Sequence, residues 1–109
     1  MAIATTYDNF TKEKRNQYVR ETTQSLEALL NDIFLGEDQN QIRQEFPNEC
    51  SIGDIELVQT RVSFNYYNDD QTPRIEVRLE VAYKDQPLAE YNSIYNQEGS
   101  LIDELFYFE

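Results

Sequence analysis

RIEVRLEVAY, residues 74–83, decides the fold. Ile75, Val77, Leu79, Val81 and Tyr83 alternate with Glu76, Arg78, Glu80 and Ala82, and a period of two is how a strand with one dry and one wet face is written. Just upstream, YNDDQTP, residues 67–73, carries the Asn, Asp and Pro of a hairpin loop. The strand before it starts at Ile55. Val58, Thr60, Val62, Phe64 and Tyr66 keep one phase, but Ile55 and Leu57 fall in the other, which predicts a bulge near Leu57 or Val58.

Downstream, KDQP from Lys84 makes a turn and a third strand runs from Leu88 to Tyr95. NQEG, residues 96–99, places a glycine where a type I turn passes into a bulged hairpin. The fourth strand follows it. Its alternation sets Ile102, Phe106 and Phe108 with Glu104 on one face, and Leu101, Leu105 and Tyr107 with Asp103 on the other. Both faces are largely apolar, and the strand is an edge without the lysine or proline that commonly guards one.

Residues 12–35 contain no Gly or Pro and are rich in Glu, Lys, Gln, Leu and Ala, so they read as one long helix. Thr11 is placed to cap it, and Gly36 to close it in a left-handed conformation. Val19, Thr22, Leu26, Leu29, Leu30 and Ile33 form its apolar stripe. This stripe also fits little more than two heptads of a coiled coil, too few to outweigh packing on a sheet. A shorter helix is predicted over 39–46, with Asp38 as cap, Ile42 and Phe46 on one face, and Pro47 as terminator. The expected architecture is α+β: a long N-terminal helix, with a short second one, packed on one face of a four-stranded antiparallel meander. Residues 1–109 read as a single domain, with 1–11 as a partly ordered arm.

Composition narrows the function. The chain has 109 residues, 21 acidic against 9 basic, and a net charge of −12. Such a field repels nucleic acid and anionic membrane and favours a basic protein partner. Lys12, Lys14, Arg15 and Arg20 crowd the first turns of the helix, where the helix dipole is already positive, and nothing after Lys84 is basic. No apolar run is long enough to span a bilayer, no signal peptide is evident, and Cys50 is the sole cysteine, which together suit a cytoplasmic location. The match of residues 9–11 to a glycosylation acceptor carries nothing there.

Histidine is absent, which removes imidazole-based hydrolysis and nearly all zinc catalysis. Three glycines make no phosphate-binding loop. Among carboxylates, Glu37 with Asp38, Asp69 with Asp70, and Asp103 with Glu104 are adjacent pairs. Helix capping, turn geometry and the opposed faces of a strand explain these better than catalysis or metal binding. Cys50 has no imidazole to activate it and reads as a half-buried bystander. No cofactor or metal is expected.

Two function classes remain. The first is a non-catalytic acidic interaction module, an adaptor, inhibitor, immunity-type or chaperone-like protein, using Glu76, Glu80, Glu90, Asp103, Leu105 and Tyr107. The second is a small-ligand-binding or enzymatic domain with a pocket lined by Tyr91, Tyr95, Phe64 and Phe106. A structural homo-oligomer is a third reading, and the C-terminal edge strand is the natural seam of a homodimer.

Overall fold

The structure, a computed structural model, describes residues 12–36, 41–65 and 73–109. The N-terminal arm with Thr11, the Asp38 cap, the carboxylate pairs at 37–38 and 69–70 and most of the first hairpin loop lie outside these residues. Helix α1 spans Lys12–Leu35, and strands β1 (Ile55–Asn65), β2 (Arg74–Tyr83), β3 (Gln86–Tyr95) and β4 (Leu101–Phe108) form one antiparallel sheet in the order β1-β2-β3-β4. The α+β arrangement is the expected one. In place of the short helix stands a five-residue 3-10 turn, Gln41–Glu45, and a second turn covers Ile52–Asp54. Pro47 follows too closely to let a run this short close more than its tighter hydrogen bonds.

The β2 alternation is reproduced in burial. Ile75, Val77, Leu79, Val81 and Tyr83 are buried, as are Ala89, Tyr91, Ser93 and Tyr95 on β3, and Leu26, Leu30 and Ile33 of α1 complete the same core. Tyr18, outside the predicted stripe, joins them with its ring 4.8 Å from that of Tyr95. Hydrogen bonds lock this contact. The Thr22 hydroxyl donates its one proton to the Tyr18 carbonyl at 2.8 Å, so Tyr95 Oη, 3.0 Å away, must be the donor to Thr22 Oγ1.

Three irregularities bend the sheet. The β1 bulge falls at Thr60, between Gln59 and Arg61, two residues beyond the predicted place, and Thr60 Oγ1 donates to the Arg78 carbonyl at 3.1 Å. Below it Ile55 and Leu57 share the helix side, and above it Val62 and Phe64 do. Leu88 is the extra residue between β2 and β3. Ile102 is the extra residue of β4, which sets Leu101 opposite Tyr95, on the helix side rather than with Leu105.

Turn chemistry closes the hairpins. Lys84 and Asp85 both adopt positive φ, 50° and 63°, as a two-residue hairpin turn requires. Gly99, at φ 86°, donates to the Asn96 carbonyl, and Asn96 N–H returns to Ser100 O at 3.0 Å, the predicted turn and bulge. Gly36, by contrast, is not left-handed. Its N–H continues the helix to Asp32 O, and a Cβ there would strike that same carbonyl, so close approach is what demands glycine.

Arg43 fastens the connecting segment. Its guanidinium lies 4.5 Å from the Phe34 ring centroid and donates to the carbonyls of Pro47 and Cys50 at 3.2 and 2.8 Å. Phe46, buried beside it, packs edge-on against Phe34 and Phe108 and so ties α1 to β4.

Leu26 is fully buried between helix and sheet. Leu26→Ala should therefore cost about 2–5 kcal/mol in urea unfolding, the range for a leucine-sized cavity.

Candidate interaction surface

The face of the sheet turned away from α1 is ordered by register into three cross-strand rows. Ser63, Glu76, Ile94 and Asp103 make one; Arg61, Arg78, Asn92 and Leu105 the next; Val58, Glu80, Glu90 and Tyr107 the third. All six residues expected to form a binding surface fall within these rows. They share one face.

Arg78 sits at the centre. Its Nε donates to Asn92 Oδ1 at 3.2 Å and lies 3.6 Å from Glu90, while Nη2 is 3.8 Å from Glu76. Glu76 also accepts from the Asn65 amide at 2.6 Å, and Glu90 accepts from Tyr107 Oη. Two of the four candidate carboxylates thus brace the sheet. Glu80 faces Glu90 directly across the strands, and among the described residues its carboxylate has neither an ion pair nor a hydrogen bond. Like charges so placed repel, and Arg78 relieves only the Glu90 side.

β4 forms the rim of this face. The exposed large apolar side chains of the described residues are Leu35, Val58, Leu101, Ile102, Leu105 and Tyr107, and four of these six belong to β4. Leu105 and Tyr107 remain 46% and 43% exposed. Among the described residues no strand pairs with the outer edge. The bond from Glu109 N–H to Leu88 O at 3.0 Å fixes the phase of that edge: Asp103, Leu105 and Tyr107 turn their backbone groups to β3, and Glu104, Phe106 and Phe108 turn theirs outward. Glu104 N–H accordingly finds its partner in Asp103 Oδ1, at 2.9 Å.

On the helix side, Glu104 accepts from Tyr91 Oη at 2.7 Å. Burial, and then that carboxylate, push the Tyr91 hydroxyl up to about 12. Ser93 Oγ, beside it, is buried without a hydrogen bond; it stands near enough to Tyr91 to offset part of the shift without reaching bonding geometry.

Tyr91 and Tyr95 are core residues, 1% and 3% exposed, and Phe64 and Phe106 pack against that core. A groove of about 460 Å³ opens instead between α1 and β1, lined by Thr23, Glu27, Leu30, Asn31, Ile52, Ile55 and Leu57. None of the four aromatics borders it. Cys50 is 3% exposed, with its thiol donating to Ser51 O at 3.6 Å. Burial raises its pKa, Asp54 and Glu49 add to the rise, and Arg43 opposes it. Among the described residues no three acidic or thiol groups converge as metal ligands, and no helix is long and apolar enough to cross a membrane.

Comparison with protein-family models, curated proteins and solved structures finds no match to this chain. The surface is therefore read from its own geometry.

Two measurements check these placements. The folded Tyr91 pKa lies above its ordinary value of 10.0, so the neutral phenol stabilises the fold below pH about 10, and that stability drains away as pH climbs through about 12. Tyr91→Phe should cost about 1 kcal/mol at neutral pH through the lost hydrogen bond, yet flatten the alkaline decline in an urea-midpoint series. Cys50 should react with a thiol reagent at pH 8 far more slowly in the native protein than in denaturant; equal rates would place the thiol at the surface.

Proposed function

We propose that this chain is a non-catalytic, acidic protein-interaction module that binds a basic protein partner through the open sheet face and β4. The observation that carries this reading is the concentration of exposed apolar side chains on an edge strand that contains no basic residue and whose outer edge pairs with no strand among the described residues. Apolar surface of this kind marks interaction sites, and the carboxylates around it select the partner's sign. Glu80 and Asp103 are the carboxylates a partner's lysine or arginine would meet first, because Glu76 and Glu90 are engaged by Arg78. An adaptor, an inhibitor, or an immunity-type or chaperone-like protein would each use such a surface. The absence of histidine and the buried thiol support a role without chemistry.

A Leu105→Ser/Tyr107→Ser double variant should keep its circular dichroism and thermal midpoint near those of the parent while losing capture of a basic partner. Capture by the parent should weaken between about 0.05 and 0.5 M salt, as screened charge pairs do. Salt-insensitive capture would remove the charge basis, and joint loss of solubility and secondary structure in the double variant would make this face part of the core.

A further inference from the structure

We propose that the outer edge of β4 receives an added strand from the basic partner, laid along Phe106–Phe108, and that the occupant is not a second copy of this chain. This rests on the interaction reading above and names its binding mode.

The edge is guarded at one end only. The Ile102 bulge breaks its regularity, and Asp103 occupies the Glu104 N–H that would otherwise begin a ladder. Beyond them the strand is regular. Phe106 and Phe108 present outward N–H groups, and Glu104, Phe106 and Phe108 present outward carbonyls. On the helix side, Phe106 and Phe108 pack edge-on at 5.3 Å and are only partly buried, so a further apolar residue beside them would bury their rims. On the open side, the aliphatic stems of the occupant's cations would cover Leu105 and Tyr107. Strand addition therefore gains main-chain hydrogen bonds and apolar cover at once.

Charge selects the occupant. A two-fold seam centred on Phe106 would set Asp103 of each copy against Glu109 of the other, with Glu104 nearby, and β4 supplies no cation to offset them. A second copy brings three more carboxylates to a line that already has three. A segment alternating apolar residues with Lys or Arg does the reverse: its apolar side chains extend the Phe106–Phe108 row, and its cations meet Asp103 on the open face.

The probe is a fluorescent, end-blocked peptide alternating lysine and valine, measured by anisotropy against the full chain. Beside it stand the same peptide with every backbone nitrogen methylated and an alternating glutamate–valine peptide. The lysine–valine peptide should bind, slow hydrogen exchange at the Phe106 and Phe108 amides, and bind about tenfold or more tightly than its methylated form, the margin expected for two hydrogen bonds. Equal binding of the methylated peptide, still weakened by salt, overturns strand addition and leaves the acidic-surface reading standing. Equal binding of the glutamate–valine peptide, or no binding of lysine–valine, overturns both. Concentration-dependent dimers that protect these two amides without peptide would assign the edge to a second copy.

Discussion

A helix is about 10 Å across, and four strands spaced about 4.8 Å apart make a sheet wider than that, so one helix can dry only two of them. Everything else in this protein follows from that mismatch. α1 packs on β1, β2 and β3, but only β2 and β3 bury their helix-side residues almost completely; β1 stays half-buried, and β4 is left at the margin. β4 shows the cost of its position: Phe106 and Phe108 reach the core only in part, and its remaining residues are exposed. A marginal strand with apolar side chains is a poor structural investment but a ready binding edge.

What could be read from the residues depended on how local the deciding physics was. The 74–83 alternation and the Gly99 turn are written within a few positions, and both appear in the structure as expected. The β1 bulge was legible as a phase conflict, but its place was not: Val58 is apolar and yet faces the open side, so hydropathy drew the break too early. Tyr18 was hidden for the opposite reason. It stands among Lys, Arg, Asn and Gln, and its ring partner in the core, Tyr95, lies far along the chain. Gly36 ends the helix as read, through steric closeness to Asp32 rather than handedness.

The candidate surface was legible as a set and illegible as a network. Alternation groups Glu76 with Glu80 on β2 and Asp103 with Leu105 and Tyr107 on β4, and the cross-strand register sets Glu90 on the same face. Which of those acids are available depends on cross-strand register, which brings Arg78 between Glu76 and Glu90 and Tyr107 onto Glu90. Net charge counts all of them alike. The geometry does not, because a carboxylate already paired with a guanidinium offers a visiting cation far less than one that faces only another carboxylate.

The bond between Tyr95 and Thr22 joins residues 73 apart in sequence, and this has a consequence during synthesis. At roughly 5–20 residues per second, several seconds pass between the emergence of α1 and that of β3. The helix takes most of its stability from packing, and until β3 joins β1 and β2 the stripe of Leu26, Leu30 and Ile33 lacks its full sheet. The nascent chain thus carries an apolar stripe whose cover stays incomplete until β3 emerges. Its yield in the cell depends on what keeps that stripe from other surfaces until β3 arrives.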